Sequence, residues 1–368
     1  MASIALVNVY KKHEGITVAT LLYQQALTNS GFETSYYQCV EERNEEYHND
    51  SIKIEGINLR NKYLSKSTNR AIVFPFRLRN LREDLILLSD PWLLNVTSFR
   101  KNVVVIVHDL RLVTQYSENM AQTLMFKMLL LKLKSAKKII SISNTTKSEL
   151  ITFGINSNSI EVIHHCTDLN VNSEKHKLNS LSKIKSGRPL NVVYIANDIP
   201  YKNISTFIHI SEQLSRGDNH DKFVFTLLSK LGNNNLKLLR RNELNNLSVI
   251  GHLDRLEDFY EKADILLFTS NYEGFGRPLI EAMKSGIPIV GRNIPIVREI
   301  TGDASILVDS DRIDEWIGAL TLLYDFTEYE NMANKSIKRS AEFSVEKFSL
   351  RVADVFRSIL QRMDTHDG

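Results

Sequence analysis

The chain has 368 residues, enough for two domains at roughly 100–200 residues each, and its 43% hydrophobic and 24% charged content excludes a disordered or fibrous class. Lysine and arginine number 46 against 43 aspartates and glutamates, and a net charge of +3 gives no reason to expect a nucleic-acid partner. No run reaches the roughly 18 apolar residues of a membrane span. Cys39 and Cys166 lie far apart, in no metal-ligand spacing, so a reducing, cytoplasmic address is expected.

The start, MASIALVNVYKKHEG, reads as a first strand rather than a leader. A helix-period stretch, GITVATLLYQQALTNSG, follows, and then the strand-like FETSYYQCV. DLILLSD, NVVVIVHDL and KKIISIS continue the series. Runs apolar on both faces, alternating with helical patterns, predict a parallel sheet covered by helices.

The alternation breaks at a polar, lysine-rich stretch that ends in Gly-Arg-Pro, and residues 171–189 are therefore expected to be a linker. It restarts with LNVVYIAND, KFVFTLLSK, LSVIGHL, DILLFTS, IPIVGR and ASILVDS. The expected organisation is an N-terminal Rossmann-like domain over 1–170, a second over 190–345, and a last helix over 346–368 packing back towards the first. Ligands of such sheets sit beyond the carboxyl ends of the strands.

NYEGFGRPLIEAM, residues 271–283, occupies that place after the strand DILLFTS. Pro278 suits a first helical turn and Gly286 a stop, which predicts a helix from about Pro278 to Ser285 with Glu281 in its first turn. Gly274 and Gly276 leave the backbone bare ahead of a helix N-terminus, where unpaired N–H groups and the helix dipole favour phosphate. Glu273 and Glu281 can accept hydrogen bonds from hydroxyl groups. Phosphate plus polyol points to a sugar nucleotide; the competing reading is a plain helix-entry loop in which Glu281 only complements the dipole.

SNYEGFGRPLIEAMKSGIPIV resembles the signature of glycosyltransferase family 4, retaining enzymes of the GT-B fold. VVVIVHDL, IISISNTTKSEL, VIHHCTDL, YIANDIPYKN and REITGDASILVD resemble the family's further motifs in the right order from about residue 100. The resemblance implies an α/β GT-B fold, with two doubly wound domains facing a cleft. It also implies a retaining hexosyltransferase that needs no metal or other cofactor.

The implied donor is a nucleoside-diphosphate sugar, UDP- or GDP-linked, and the implied acceptor is a glycan or a lipid-linked glycan. Glu281 would hold the ribose, Glu273 the transferred sugar, and Gly274, Phe275 and Gly276 the sugar and diphosphate through their N–H groups. Lys202 matches the family's diphosphate lysine and His108 its histidine reaching the donor sugar. Gly251 lies in the base-side loop, and Gly15 and Asp109 belong to the acceptor side, where Asp109 either positions the acceptor or caps the loop after it.

Three positions depart from the family. Asn197 stands where an arginine usually pairs with Lys202, leaving Arg277 or Arg292 as substitute cations. Gly15 in HEGIT stands alone where the family has paired glycines, and HHC replaces the usual Asn-Gly. The first departure keeps open a non-catalytic sugar-nucleotide-binding partner of a glycosyltransferase complex, and the rival within enzymes is a GT-B sugar-nucleotide epimerase.

Two further stretches carry readings of their own. DSD, Asp309 to Asp311, matches a D-x-D metal motif, but before a helix Asp311 reads as an N-cap. LMFKMLLLKLKSAKK, residues 124–138, is cationic and apolar. It reads either as a sheet-covering helix or as a peripheral contact with the inner face of a membrane.

Overall fold

The structure, a computed structural model, describes residues 1–11, 15–40, 51–57, 66, 68–113, 120–217, 219–242, 244–251, 253 and 255–364. His13 and Glu14 of HEGIT lie outside them. The chain divides into two compact units, Met1–His165 with Glu346–Gly368, and Cys166–Val345.

The first unit contains β1 (Ser3–Asn8), β2 (Glu33–Val40), β3 (Ile52–Glu55), β4 (Leu85–Leu88), β5 (Val103–Val107), β6 (Lys138–Ser141) and β7 (Ile160–Val162). They form one sheet in the order β3-β2-β1-β4-β5-β6-β7, with every ladder parallel. β4 and β5 are buried at every position. Both faces are covered by helices, which is why LILL and VVVIV show no polar alternation. Phe126, Leu129 and Leu130 pack into this core from the helix Met120–Lys132.

The last helix, Val345–Asp364, falls almost wholly in the first unit. Phe348 packs edge-on against Tyr23 at 4.9 Å between centroids, and Arg351 donates to Glu161 Oε2 at 2.9 Å.

The second unit contains β8 (Leu190–Ile195), β9 (Phe223–Leu228), β10 (Leu247–Ile250), β11 (Ile265–Phe268), β12 (Ile289–Arg292) and β13 (Ser305–Val308). Their order is β10-β9-β8-β11-β12-β13, again parallel throughout. The chain starts both sheets at an inner strand, winds outwards one way, and then returns to wind the other way.

The stretch 171–189, expected to be a linker, holds the helix Ser173–Lys185 and belongs to the second unit. Asn172 caps it by accepting from Lys175 N at 3.0 Å. Its polar residues are put to use: Ser180 and Lys183 donate to the two oxygens of Asp264 at 2.5 and 2.6 Å, just before β11. Lys177 reaches Asn334 at 2.8 Å. A helix held by polar contacts lacks the apolar stripe by which sequence periodicity reveals one.

Asp311 does not cap the helix Ile313–Leu322, whose N-cap is Arg312. It pairs with Arg292 at 2.6 Å instead, while Asp309 accepts from Asn293 at 2.5 Å. Both end aspartates of DSD are thus engaged by side chains of their own unit.

Candidate active site

In the second sheet the strand order reverses between β8 and β11, so the rule for open parallel sheets selects the loops leaving those two strands. The loop after β8 runs into a short turn, Pro200–Lys202, and Asn203 then takes a left-handed conformation at φ 52° before the helix Ile204–Arg216. Asparagine tolerates that region better than most residues. The turn is pinned to the end of β11: Thr269 Oγ1 donates to the carbonyls of Lys202 and Asn203 at 3.2 and 3.0 Å, and Asn271 N donates to Tyr201 O at 2.7 Å.

Those bonds bring Lys202 against Glu273. The ammonium forms an ion pair with Glu273 Oε1, and the side chains are only 17% and 12% exposed. Ser270 Oγ donates to the same carboxylate oxygen at 3.1 Å, and the buried Tyr194 hydroxyl sits 2.7 Å from Ser270 Oγ. Burial pushes the Tyr194 hydroxyl far up, so it stays neutral. A cation this sheltered is poised for an anion but is held by a carboxylate meanwhile.

The glycine-containing loop leads from Glu273 into the helix Arg277–Lys284, with Pro278 in its first turn. Gly276 is the N-cap at φ 82°, and a Cβ there would lie 2.9 Å from Leu279 Cδ1, so glycine is needed for both conformation and space. Phe275 is buried edge-on against Phe343 at 6.0 Å, which fixes the loop from below.

Glu281 is not in the first turn: it is the fifth residue of this helix, and it is 5% exposed. The helix begins at Arg277, one residue before the proline, and this phase turns Glu281 inwards. Tyr260 donates to its Oε2 at 2.9 Å, while Arg277 Nη2 lies 3.4 Å from Oε1. Burial raises the Glu281 pKa against the opposing pull of Arg277 and Tyr260. Burial and the neighbouring carboxylate hold the Tyr260 proton in place, so Tyr260 is the donor. Arg277 Nε is buried without a hydrogen-bond partner.

Asn197 is exposed, and Gly251, after β10, faces open space. Arg292 lies over the Trp316 ring at 5.3 Å and pairs with Asp311, a packing role within its own unit. Among the described residues, no group of three or more His, Cys, Asp or Glu side chains is arranged to hold a metal ion.

In the first sheet the order reverses between β1 and β4, and a hydrogen-bonded network marks the place. Asn8 accepts from Ser89 Oγ at 3.1 Å and donates to Thr17 at 2.8 Å. Tyr10 donates to Asp90 Oδ2 at 2.8 Å, and Trp92 N donates to its Oδ1 at 2.7 Å. Burial raises the Asp90 pKa, with Trp92, Tyr10, His108 and Arg70 opposing.

His108, after β5, bonds to Ser89 O through Nε2 at 2.9 Å. A carbonyl only accepts, so Nε2 carries the proton and the neutral ring keeps its lone pair on Nδ1. Burial lowers the His108 pKa although Asp90 is near, and His165 stacks on the ring at 5.5 Å. Asp109 accepts from Arg111 N at 2.9 Å, a turn cap. Gly15 opens the helix Gly15–Asn29 with free space where a Cβ would stand.

The family model described as "Glycosyltransferase Family 4" matches residues 14–171, and that described as "Glycosyl transferases group 1" matches residues 179–340. The chain belongs to glycosyltransferase family 4. It is 24% identical over 244 residues to the O-antigen chain mannosyltransferase RfbU of Salmonella typhimurium, covering 65% of each chain. To the O-antigen chain mannosyltransferase B of Escherichia coli it is 31% identical over 100 residues, 27% of this chain and 26% of that one. Neither relative is matched over two thirds of its length.

Among solved structures, sucrose-phosphate synthase from Thermosynechococcus elongatus superposes with a TM-score of 0.79 at 16% identity, covering 98% of this chain and 100% of that one. Anabaena HepE in complex with UDP and glucose gives 0.77 at 16% identity over 97% and 100%. At such identity these likenesses establish the fold, which is GT-B.

For this family 4 chain, the sequence motifs locate Lys202, Glu273, Gly276 and Glu281, and the structure brings the first two into contact. Sequence reasoning missed Tyr260, Ser270 and Tyr194, which bond to Glu281, Glu273 and the Lys202 carbonyl, and the bonded pair Tyr10 and Asp90 near His108. Position after a strand was the only available signal, and it singles out Tyr10, Asp90 and Ser270, each two residues past a strand end.

Proposed function

We propose that this family 4 chain is a retaining glycosyltransferase that moves a hexose-type sugar from a nucleoside-diphosphate donor to a glycan or lipid-linked acceptor. The observation that carries the proposal is the sheltered Lys202–Glu273 pair at the strand-order reversal of the second sheet, on the loop that leads to Gly276 at the start of the helix Arg277–Lys284. In the proposed reaction the acceptor oxygen bonds to the anomeric carbon on the face that the phosphate leaves. The sugar–phosphate bond breaks, and the acceptor proton passes to the departing phosphate oxygen. Lys202 and the loop N–H groups stabilise the charge on that phosphate.

Glu273 then takes hydroxyls of the sugar, while Glu281 takes ribose hydroxyls as Arg277 releases it. Arg277, with its unpartnered Nε, supplies the second cation that Asn197 lacks. His108 serves the sugar through its unprotonated Nδ1. The named relatives transfer mannose to O-antigen chains, which favours mannose as the sugar and a surface polysaccharide as the product. The HepE complex holds UDP, so UDP- and GDP-sugars are the donors to try first. A reducing cytoplasm, where such donors are made, fits two buried free cysteines.

The test is turnover of radiolabelled UDP- and GDP-hexoses with and without an acceptor extract. Acceptor-dependent transfer with retained anomeric configuration supports the reading. Binding without turnover would replace it with the non-catalytic partner, and free nucleotide without an acceptor with the epimerase.

A further inference from the structure

A pocket of about 390 Å³ opens within the first unit, between the last helix, Val345–Asp364, and the amino ends of β6 and β7. Ligands of open parallel sheets gather beyond the carboxyl ends of the strands. This pocket is therefore at the other end of the sheet from His108, and none of its lining residues belongs to the site described above.

Its floor is built from fixed charges. Lys138, the first residue of β6, is 7% exposed, and its ammonium donates to Asn158 O at 2.7 Å and pairs with Glu161 Oε1 at 3.1 Å. Arg351 reaches the same carboxylate from the helix, donating to Glu161 Oε2 through Nη2 at 2.9 Å and to Val162 O through Nε at 3.3 Å. An ammonium has three donors and a guanidinium five. These bonds use two on each, and the others have no partner among the described residues. The turn that carries Asn158 is also tied down: Asn158 N donates to Asn156 Oδ1 at 2.9 Å, and Ser159 Oγ donates to Asn156 O at 2.7 Å.

The pocket carries an excess of positive charge. Lys137 and Arg362 add two exposed cations to Lys138 and Arg351, whereas the described lining holds two carboxylates, Glu161 and Asp354. Glu161 is shared by Lys138 and Arg351, and Asp354 lies 3.9 Å from Arg357, outside the pocket. Four cations facing two carboxylates leave two charges unanswered, close to the charge of a phosphate monoester at neutral pH. Asn156, Ser159 and Ser358 add amide and hydroxyl groups that can bond to hydroxyls. The volume lies low in the range of small-molecule sites, roughly 300–1,000 Å³, and so takes a compact ligand.

We propose that this pocket binds a sugar phosphate, with the phosphate met by Lys137, Lys138, Arg351 and Arg362 and the sugar hydroxyls by Asn156, Ser159 and Ser358. Such a ligand touches both walls and so fastens the last helix to the sheet. The inference stands apart from the transfer reaction, and its test reads binding alone.

The experiment is isothermal titration of the full chain with mannose 6-phosphate, mannose and inorganic phosphate. The expected result is binding of mannose 6-phosphate, at least about tenfold weaker binding of inorganic phosphate, and none of mannose. Lys137→Gln/Arg362→Gln should lose about tenfold in affinity. Ser358→Trp, which fills the pocket from a half-buried position, should abolish binding. Lys202→Ala, at the other candidate phosphate site, should bind mannose 6-phosphate as the parent does. The first pair is exposed, and its thermal melt should match the parent's. Three results would each overturn the proposal: no binding of mannose 6-phosphate, undiminished binding by Lys137→Gln/Arg362→Gln, or equally tight binding of inorganic phosphate, which would leave a bare anion site. Loss of binding in Lys202→Ala would also overturn it, in favour of the donor site.

Discussion

The two strand-order reversals are topological twins with different chemistry. In the first unit, Asn8, Tyr10, Ser89 and Asp90 form a network of hydrogen bonds around a buried carboxylate, with a neutral His108 beside it. In the second, a lysine and a glutamate meet directly with little access to water. The same backbone opening thus holds a hydrogen-bonded network around a buried carboxylate in one unit and a directly paired lysine and glutamate in the other. That difference follows from a few residues after each strand, not from the sheets.

The sharpest way to break the contrast is to remove the cation. Lys202→Ala should cut transfer by roughly two to three orders of magnitude, the usual loss when one preorganised charge-stabilising group goes. It should also lower stability by about 3 kcal/mol, because Glu273 is left sheltered and unpaired. Stopped assays and chemical melts would read both effects. Equal activity in this variant and the parent would erase the distinction between the two reversals.

Gly276→Ala comes next, with an expected cost of about 1–3 kcal/mol for a side chain at positive φ, together with its clash on Leu279. The melting temperature and donor affinity should fall together. Tyr260→Phe removes the hydrogen bond to buried Glu281 and should cost about 1–3 kcal/mol while weakening donor binding. Isothermal titration with nucleotide would check it. A variant with unchanged affinity would detach Glu281 from the donor.

Much of the fold was legible because short runs of Val, Ile and Leu, bounded by turn residues and alternating with helical patterns, match strands buried on both faces. The helix Ser173–Lys185 was not, since its purpose is to hold Asp264 by Ser180 and Lys183, a contact across more than eighty residues. The site divides in the same way. Gly276 stands out by local pattern and Lys202 through the family resemblance, whereas Tyr260 meets Glu281, and Tyr10 meets Asp90, only through folding. Such pairings leave no spacing to read in one sequence.

In the first unit, Asp90→Asn should leave nucleotide affinity within about twofold while shifting the titration of His108, because it removes a charge near the ring and leaves every residue of the second unit unchanged. Histidine NMR against pH would follow it. The smallest expected effect is on overall stability: burial lowers the pKa values of both His108 and His176. The unfolded chain then binds protons at higher pH than the folded chain, so stability should decline as pH drops below about 6.5. Replacing both histidines by glutamine should flatten that decline in denaturant titrations.

The most direct measurement is nucleotide-sugar turnover by Lys202→Ala, Lys202→Arg and Glu273→Gln against the parent chain, with melts of each. The expected result is near-abolished transfer in Lys202→Ala, partial recovery in Lys202→Arg, and loss of turnover in Glu273→Gln with nucleotide still bound. Transfer at parental rates by a folded Lys202→Ala protein would contradict the assignment of the Lys202–Glu273 pair as the centre of the donor site.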